Sequence, residues 1–283
     1  MSNVLILEKV TTLNVSAASG CLFSSDRLCI VADDDQELYL FDVQGNRTGS
    51  VLLFPEQLPE STAERKKAKA DLEALCQTPQ GQLLAIGSGS TPSRCRGAVI
   101  DSHSWTSNTI DASALYHSLA TQIVDLNIEG AAFVGESLFL GQRGNGKGRL
   151  NALIQLTAST VLDELEDGRL SARSIERIIP LALGNLDGVL YTLTDLSPAA
   201  DDGLWFTAAA EDTDDPYLDG EVTGALIGKM DLQGNVLWQR TVSPLVKLEG
   251  ICRGADGYLY LVCDADDPDV PSPLFRVWID EPQ

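Results

Sequence analysis

The chain is short of histidine, of positive charge and of long apolar runs, and each shortage closes off a class of function. Only His103 and His117 are present, which excludes an all-histidine zinc site. No CxxC pair accompanies the six cysteines. Cys29 and Cys263 fall inside apolar segments, and Cys76 and Cys252 each follow a glutamate by three residues, so they read as small buried strand residues in a reducing compartment. Lys and Arg number 20 against 41 Asp and Glu, a formal net charge of −21 with a pI of about 4.3. Such a field repels nucleic acid and anionic membranes and favours cations or a basic partner. No stretch approaches the length of a membrane span. "MSNVLILEKV" lacks the basic flank and small-residue cleavage site of a signal peptide, so the expectation is a cytoplasmic monomer with no nucleic-acid or membrane partner. There is no GxxxxGK[ST] loop, and no Ser, His and Asp set with a nucleophile elbow.

What the chain does have is a repeat. "DLEALCQTPQGQLLAIGSGS", "NIEGAAFVGESLFLGQRGNG" and "KLEGICRGADGYLYLVCDADD" each place an acid before an apolar segment, a turn and a second apolar segment. Measured back from the Leu that opens the second segment, the acids are Glu73, Glu129 and Glu249, with degenerate copies at Ser19 and Asp195. The register points 19, 73, 129, 195 and 249 are 54, 56, 66 and 54 residues apart, and 53 residues close the circle through the two chain ends. Units of this length with four strand-like segments predict an all-β, five-bladed propeller spanning residues 1–283 as one domain. Six blades would need a further unit hidden between 129 and 195, where "TASTVLDELEDGRLSARSIERIIPLAL" reads as strand, short helical turn and strand. The final unit ends after its third strand, "PLFRVWID", so "NVLILEKVTTL" is expected to supply the fourth and close the ring. Gln-Gly-Asn in "ELYLFDVQGNRTGSVLL" and "ALIGKMDLQGNVLWQRTV" marks hairpin turns, with Asn and Gly where positive φ is wanted. "PESTAERKKAKADLE", capped by Ser61 or Thr62, and "DASALYHSLATQ" read as inserted helices.

In a propeller the first strand of each blade lines the channel, so its start shares a face with the loop after the second strand. Glu73, Glu129, Asp195 and Glu249 are thereby predicted at one channel mouth. Converging carboxylates repel unless they are protonated, hydrated or bridged, and a hard cation such as calcium would relieve them. Equally, each could accept backbone amides and staple adjacent blades. Loops 32–37, 210–215 and 264–269 on this face are acidic, whereas loops 87–97 and 141–149 bring Arg94, Arg96, Arg143, Lys147 and Arg149. Arg94 and Arg143, with Ser88, Asn145 and Lys147 of the same loops, are expected to bind a small anionic molecule, since arginine offers a two-point fork to phosphate or carboxylate.

The "DLEA", "NIEG" and "KLEG" starts, each followed by strand, turn and strand, resemble the propeller family named for the esterase-like activity of phytase, and related bacterial propellers, over nearly the whole chain. The resemblance implies an acidic channel mouth that binds calcium and hydrolyses an ester or phosphoester. On that reading Glu73, Glu129 and Glu249 are the catalytic and metal-binding residues, with Asp195 as a further metal ligand. The alternative is a propeller that binds a ligand or protein partner without catalysis.

Overall fold

The computed structural model describes residues 4–211, 222–264, 267 and 269–279. Two short strands, β1 (Val4–Ile6) and β2 (Glu8–Thr12), precede five sheets. Blade 1 is β3 (Ala18–Ser24), β4 (Arg27–Ala32), β5 (Glu37–Phe41) and β6 (Arg47–Leu52), in that order from the channel outward. Blade 2 is β7 (Leu72–Gln77), β8 (Leu83–Gly87), β9 (Arg96–Ile100) and β10 (Ser107–Asp111). Blade 3 is β11 (Ile128–Val134), β12 (Ser137–Gln142), β13 (Ala152–Thr157) and β14 (Ile175–Pro180). Blade 4 follows a two-residue strand, β15 (Asn185–Leu186), with β16 (Val189–Pro198), β17 (Leu204–Glu211), β18 (Val222–Met230) and β19 (Val236–Ser243). Blade 5 is β20 (Lys247–Arg253), β21 (Leu259–Asp264) and β22 (Pro273–Val277), completed by β2. The inner strands β3, β7, β11, β16 and β20 touch in that cyclic order, which closes a five-bladed propeller.

The strand pattern follows from this layering. Inner and second strands are sandwiched between neighbouring blades and bury both faces, so β4, β8, β11 and β12 are buried along nearly their whole length and are mostly apolar. Outer strands such as β6 and β19 are partly exposed along their length. The core is accordingly a set of apolar layers between blades, from the one around Leu28, Leu38 and Leu72 to the one around Phe206, Leu226 and Met230.

The N-terminal segment does more than fill the last blade. β2 pairs antiparallel with β22, as expected, but β1 turns the other way and pairs parallel with β19 of blade 4. Leu7 N–H donates to Ser243 O at 2.8 Å between the two pairings, so one short segment spans the seam between blades 4 and 5.

Three helices interrupt the pattern: α1 (Thr62–Ala68) before blade 2, α2 (Ser113–Ala120) before blade 3, and α3 (Ala158–Glu166) between the last two strands of blade 3. The expected caps of α1 are refined, because Ser61 is the N-cap residue but its side chain makes no capping bond. In the two Gln-Gly-Asn turns only the glycines, Gly45 and Gly234, take positive φ. Asn46 and Asn235 instead donate their amides to Asp42 and Asp231, which tie the turns from within.

Candidate functional site at the channel mouth

Every inner strand carries a β-bulge, near the start of β3, β7, β11 and β20 and in the middle of β16. In blades 2, 3 and 5 the residue skipped by the ladder is the repeated glutamate: register shifts between Leu72 and Ala74, Ile128 and Gly130, and Leu248 and Gly250. A bulge frees one residue from pairing and re-aims its side chain, here into the mouth of the channel. The residue after it must be small, because inner strands of adjacent blades meet there. A Cβ on Gly130 would stand 2.6 Å from Leu196 N, and one on Gly250 2.3 Å from Ser19 O. The Glu-Gly pair is therefore one device, an acid turned inward and a space for the next blade.

Asp195 does not belong to this set, which corrects the sequence reading. The blade 4 bulge falls between Leu193 and Asp195, so Thr194 occupies the glutamate position and Asp195 the glycine position. Its carboxylate turns into the seam, where Oδ1 accepts Leu196 N–H and Oδ2 accepts Ile251 N–H, each at 2.7 Å. Burial holds this carboxyl well above its ordinary range, with Cys21 adding to the shift and the two amides opposing it.

Glu73, Glu129 and Glu249 all line a cavity of about 540 Å³ at the mouth, together with Arg94, Arg143 and Asn145. Around them four buried basic side chains, Lys69, Arg94, Arg143 and Lys247, are matched to carboxylates. Arg143 reaches Glu129 at 3.4 Å and Glu211 at 2.6 Å, and donates Nε–H to Thr192 Oγ1. Arg94 lies 2.7 Å from Asp71. Lys69 bridges Asp33 at 2.5 Å and Asp71 at 3.0 Å, and Lys247 is 3.2 Å from Glu249 Oε1. Glu73 makes no hydrogen bond or ion pair among the described residues. Glu249 is 5% exposed, and its Oε2 is buried without a partner, as is Asn145 Oδ1.

Two of the expected ligand residues lie elsewhere. Ser88 is fully buried behind Asp71, to which its hydroxyl donates at 2.6 Å, and its neighbour Ser90 lines the cavity instead. Lys147 is exposed beside a second cavity, which Asn145 and Glu211 also line. Arg96 turns outward onto Phe54, 3.9 Å from the ring, and pairs with Glu56. The expected trio of carboxylates does not close into one ligand shell. The only group of three or more acids among the described residues whose oxygens all lie within 4.8 Å of one another is Asp33, Asp71 and Glu73, and Lys69 already stands against two of them. Of the acidic loops, residues 212–215, 265, 266 and 268 lie outside the described residues.

Asp71, Lys69 and Lys247 are the members that sequence reasoning missed, whereas Asp33 and Glu211 come from loops 32–37 and 210–215, expected to be acidic on this face. A signal was present for two of them: the residue two before each glutamate is polar, Asp71, Asn127 and Lys247, and residues two apart in a strand share a face. Asn127 accordingly donates to Glu129 at 2.6 Å and Lys247 pairs with Glu249.

The acids are held in an unusual protonation range. Burial pushes Glu249 up to about 7 against the pull of Lys247 and Arg143. Burial, then Glu129, Asp71 and Asp33, raise Glu73 well above its ordinary value, and burial raises Glu129 and Asp33 as well. Unfolded, Glu249 titrates near 4.5, so between that pH and about 7 the folded chain binds more protons than the unfolded one. Its contribution is fully present below pH 4.5 and is lost as pH rises through 7, a change of roughly 3 kcal/mol for this group alone. Glu73, Glu129 and Asp33 act in the same sense. The melting temperature is therefore expected to be higher at pH 5 than at pH 8, and a scan that rises steadily across that interval would contradict this charge assignment.

The fold has solved relatives. The chain is similar to Myxococcus xanthus glutaminyl cyclase at 9% identity and a TM-score of 0.56, covering 99% of this chain and 100% of that one. It is also similar to hydrazine synthase of Kuenenia stuttgartiensis, at 13% identity and a TM-score of 0.46 over 95% of this chain and 65% of that one. Virginiamycin B lyase from Staphylococcus aureus matches at 13% identity and a TM-score of 0.42, over 98% and 75% of the two chains. At these identities the likeness concerns the fold alone. No curated protein matches the sequence. No helix among the described residues is long and apolar enough to cross a membrane. The model of the DUF6929 family, described as a family of unknown function, matches residues 14–279, and the chain belongs to that family.

Proposed function

We propose that the channel mouth is the active site of a hydrolase acting on an ester or lactone of a small molecule, with Glu249 as its acid–base residue. The observation that carries this reading is Glu249 Oε2, a buried carboxylate oxygen without a partner, on the wall of a cavity whose other charges are nearly all paired. A general base works best when its pKa lies near the working pH, and burial has brought Glu249 there. In the reaction, Oε2 takes a proton from water as the water oxygen attacks the carbonyl carbon. The same proton then passes to the leaving oxygen as the carbon–oxygen bond breaks, giving an acid and an alcohol. Lys247, 3.2 Å from Oε1, keeps a positive charge beside the developing oxyanion.

The other expected residues take supporting roles. Glu129 is engaged by Arg143 and Asn127 and positions the guanidinium. Because Arg94 and Arg143 are committed to Asp71, Glu129 and Glu211, an anionic ligand would have to displace a carboxylate, which favours a neutral ester or lactone over a phosphoester. Glu73, a carboxyl without a bonded partner among the described residues whose ionisation burial and neighbouring acids oppose, would take a cation in place of its proton, and calcium is the inorganic ion of that chemistry. The resemblance to esterase-like phytase propellers supports the same reaction class. Six free cysteines suit a cytoplasmic protein.

The test is a screen of esters, lactones and phosphoesters with and without calcium, on protein purified without chelator. Glu249→Gln is expected to lower kcat by about 100-fold or more with little change in KM, the usual range for loss of a general base. The wild-type pH–rate profile should fall below pH 7. Binding of small molecules without turnover of any of these substrates would favour the non-catalytic propeller, a reading that the paired, preorganised charges at the mouth also suit.

A further inference from the structure

We infer that the substrate of this site carries a primary ammonium group joined to an apolar body, so that the cation Glu73 would take comes from the substrate itself. The inference rests on the reading of the channel mouth as a small-molecule active site and specifies what enters it.

Buried polar groups in folded proteins are almost always hydrogen-bonded, and the exceptions mark places where something else binds. On the wall of this cavity the exceptions are mostly of one kind. Glu249 Oε2 and Asn145 Oδ1 are buried acceptors without partners, and the half-buried Glu73 on the same wall has neither hydrogen bond nor ion pair among the described residues. Only one buried donor there, Arg94 Nε, is in the same state. An occupant that satisfies such a wall must bring donors and positive charge, and an ammonium brings three N–H donors with one charge.

A metal ion would also bring charge, but two features favour the organic cation. Lys69 already places an ammonium 2.5 Å from Asp33 and 3.0 Å from Asp71, in the one acid cluster among the described residues tight enough for a metal. A divalent ion beside Glu73 would face that ammonium at close range. The cavity is also lined by Ile123, Val124 and Leu126 from the segment after α2, interleaved with Asp125, and Val124 is 68% exposed. A bare ion makes no use of an apolar wall, whereas an alkyl or aromatic body buries surface against it at about 25 cal/mol per Å².

Isothermal titration of the full chain with n-butylammonium, butyrate, n-butanol and calcium chloride tests the assignment at pH 8, where the carboxyls are most ionised. Butylammonium is expected to bind at least tenfold more tightly than butanol or butyrate and to raise the melting temperature. Both Glu73→Gln and Asn145→Ala should weaken it tenfold or more, and the second keeps the test open if the first folds poorly. Butyrate binding as well as butylammonium, calcium binding where butylammonium does not, or unchanged butylammonium affinity in both variants would each overturn the inference. Its failure is distinct from failure of the hydrolase reading. Equal kcat/KM on amino esters and their desamino analogues would sink the ammonium and leave the hydrolase. Butylammonium binding without turnover of any ester would leave the ammonium and sink the hydrolase.

Discussion

A chain that begins at Leu13, and so lacks β1 and β2, is expected to lose its cooperative fold near physiological temperature. Removing the segment takes the outer strand from blade 5 and the parallel strand from blade 4 at once. It strips the buried side chains of Leu5 and Leu7 from the layer between those blades, each worth about 2 kcal/mol. The two-point ion pair of Arg276 with Glu8 goes too, although it lies at the surface and contributes little. β22 is left as an open outer edge of blade 5. With the ladder hydrogen bonds at about 1 kcal/mol each, the total is roughly 6–10 kcal/mol, comparable to the whole stability of an ordinary domain. Circular dichroism melts of the truncated and full chains give the comparison. The expected fall is about 15 °C or more, and equal melting temperatures would refute closure by this segment.

The closure was legible because it follows from counting: a 53-residue gap close to the 54, 56 and 54 of three other units pointed to a blade shared by the two ends. That the segment divides between two blades was not legible, since three residues of β1 carry no periodicity that could say which edge they join. The glutamates at 73, 129 and 249 were readable for a physical reason, because in blades 2, 3 and 5 bulge, inward acid and small neighbour occur together where inner strands meet. Asp195 misled through turn length. The turn between β16 and β17 runs over residues 199–203, as long as those of blades 2 and 5, where the acid stands ten residues before the reference Leu. Asp195 stands nine before Leu204, one place too late, and a single place in a strand moves a side chain to another environment. The state of the arginines was also hidden. Sequence shows that Arg94 and Arg143 share a face, but the carboxylates that absorb them, Asp71 and Glu211, come from other strands and loops, and only packing brings them within reach.

Asp195→Ala is the substitution expected to cost most among the acids of the inner strands. The side chain is 1% exposed, and each of its oxygens takes one amide hydrogen, from Leu196 on its own strand and from Ile251 on β20 of the next blade. Alanine leaves both N–H groups buried without acceptors, at about 1–3 kcal/mol each, and opens a small void in the seam, so the loss is roughly 3–5 kcal/mol. Asparagine restores one acceptor but aims its amide hydrogens at the other N–H, so Asp195→Asn should recover only part of the loss. Glu129→Gln serves as the comparison, because its main partners are side chains that can readjust. Urea unfolding of the three variants gives the ranking directly. A metal-ligand role for Asp195 makes a different forecast, in which stability without metal is nearly unchanged and any response to calcium disappears. A large loss in the presence of chelator, with the calcium response of the surviving fold intact, is the result expected of a staple between blades. A cost for Asp195→Ala no greater than that for Glu129→Gln would refute the staple.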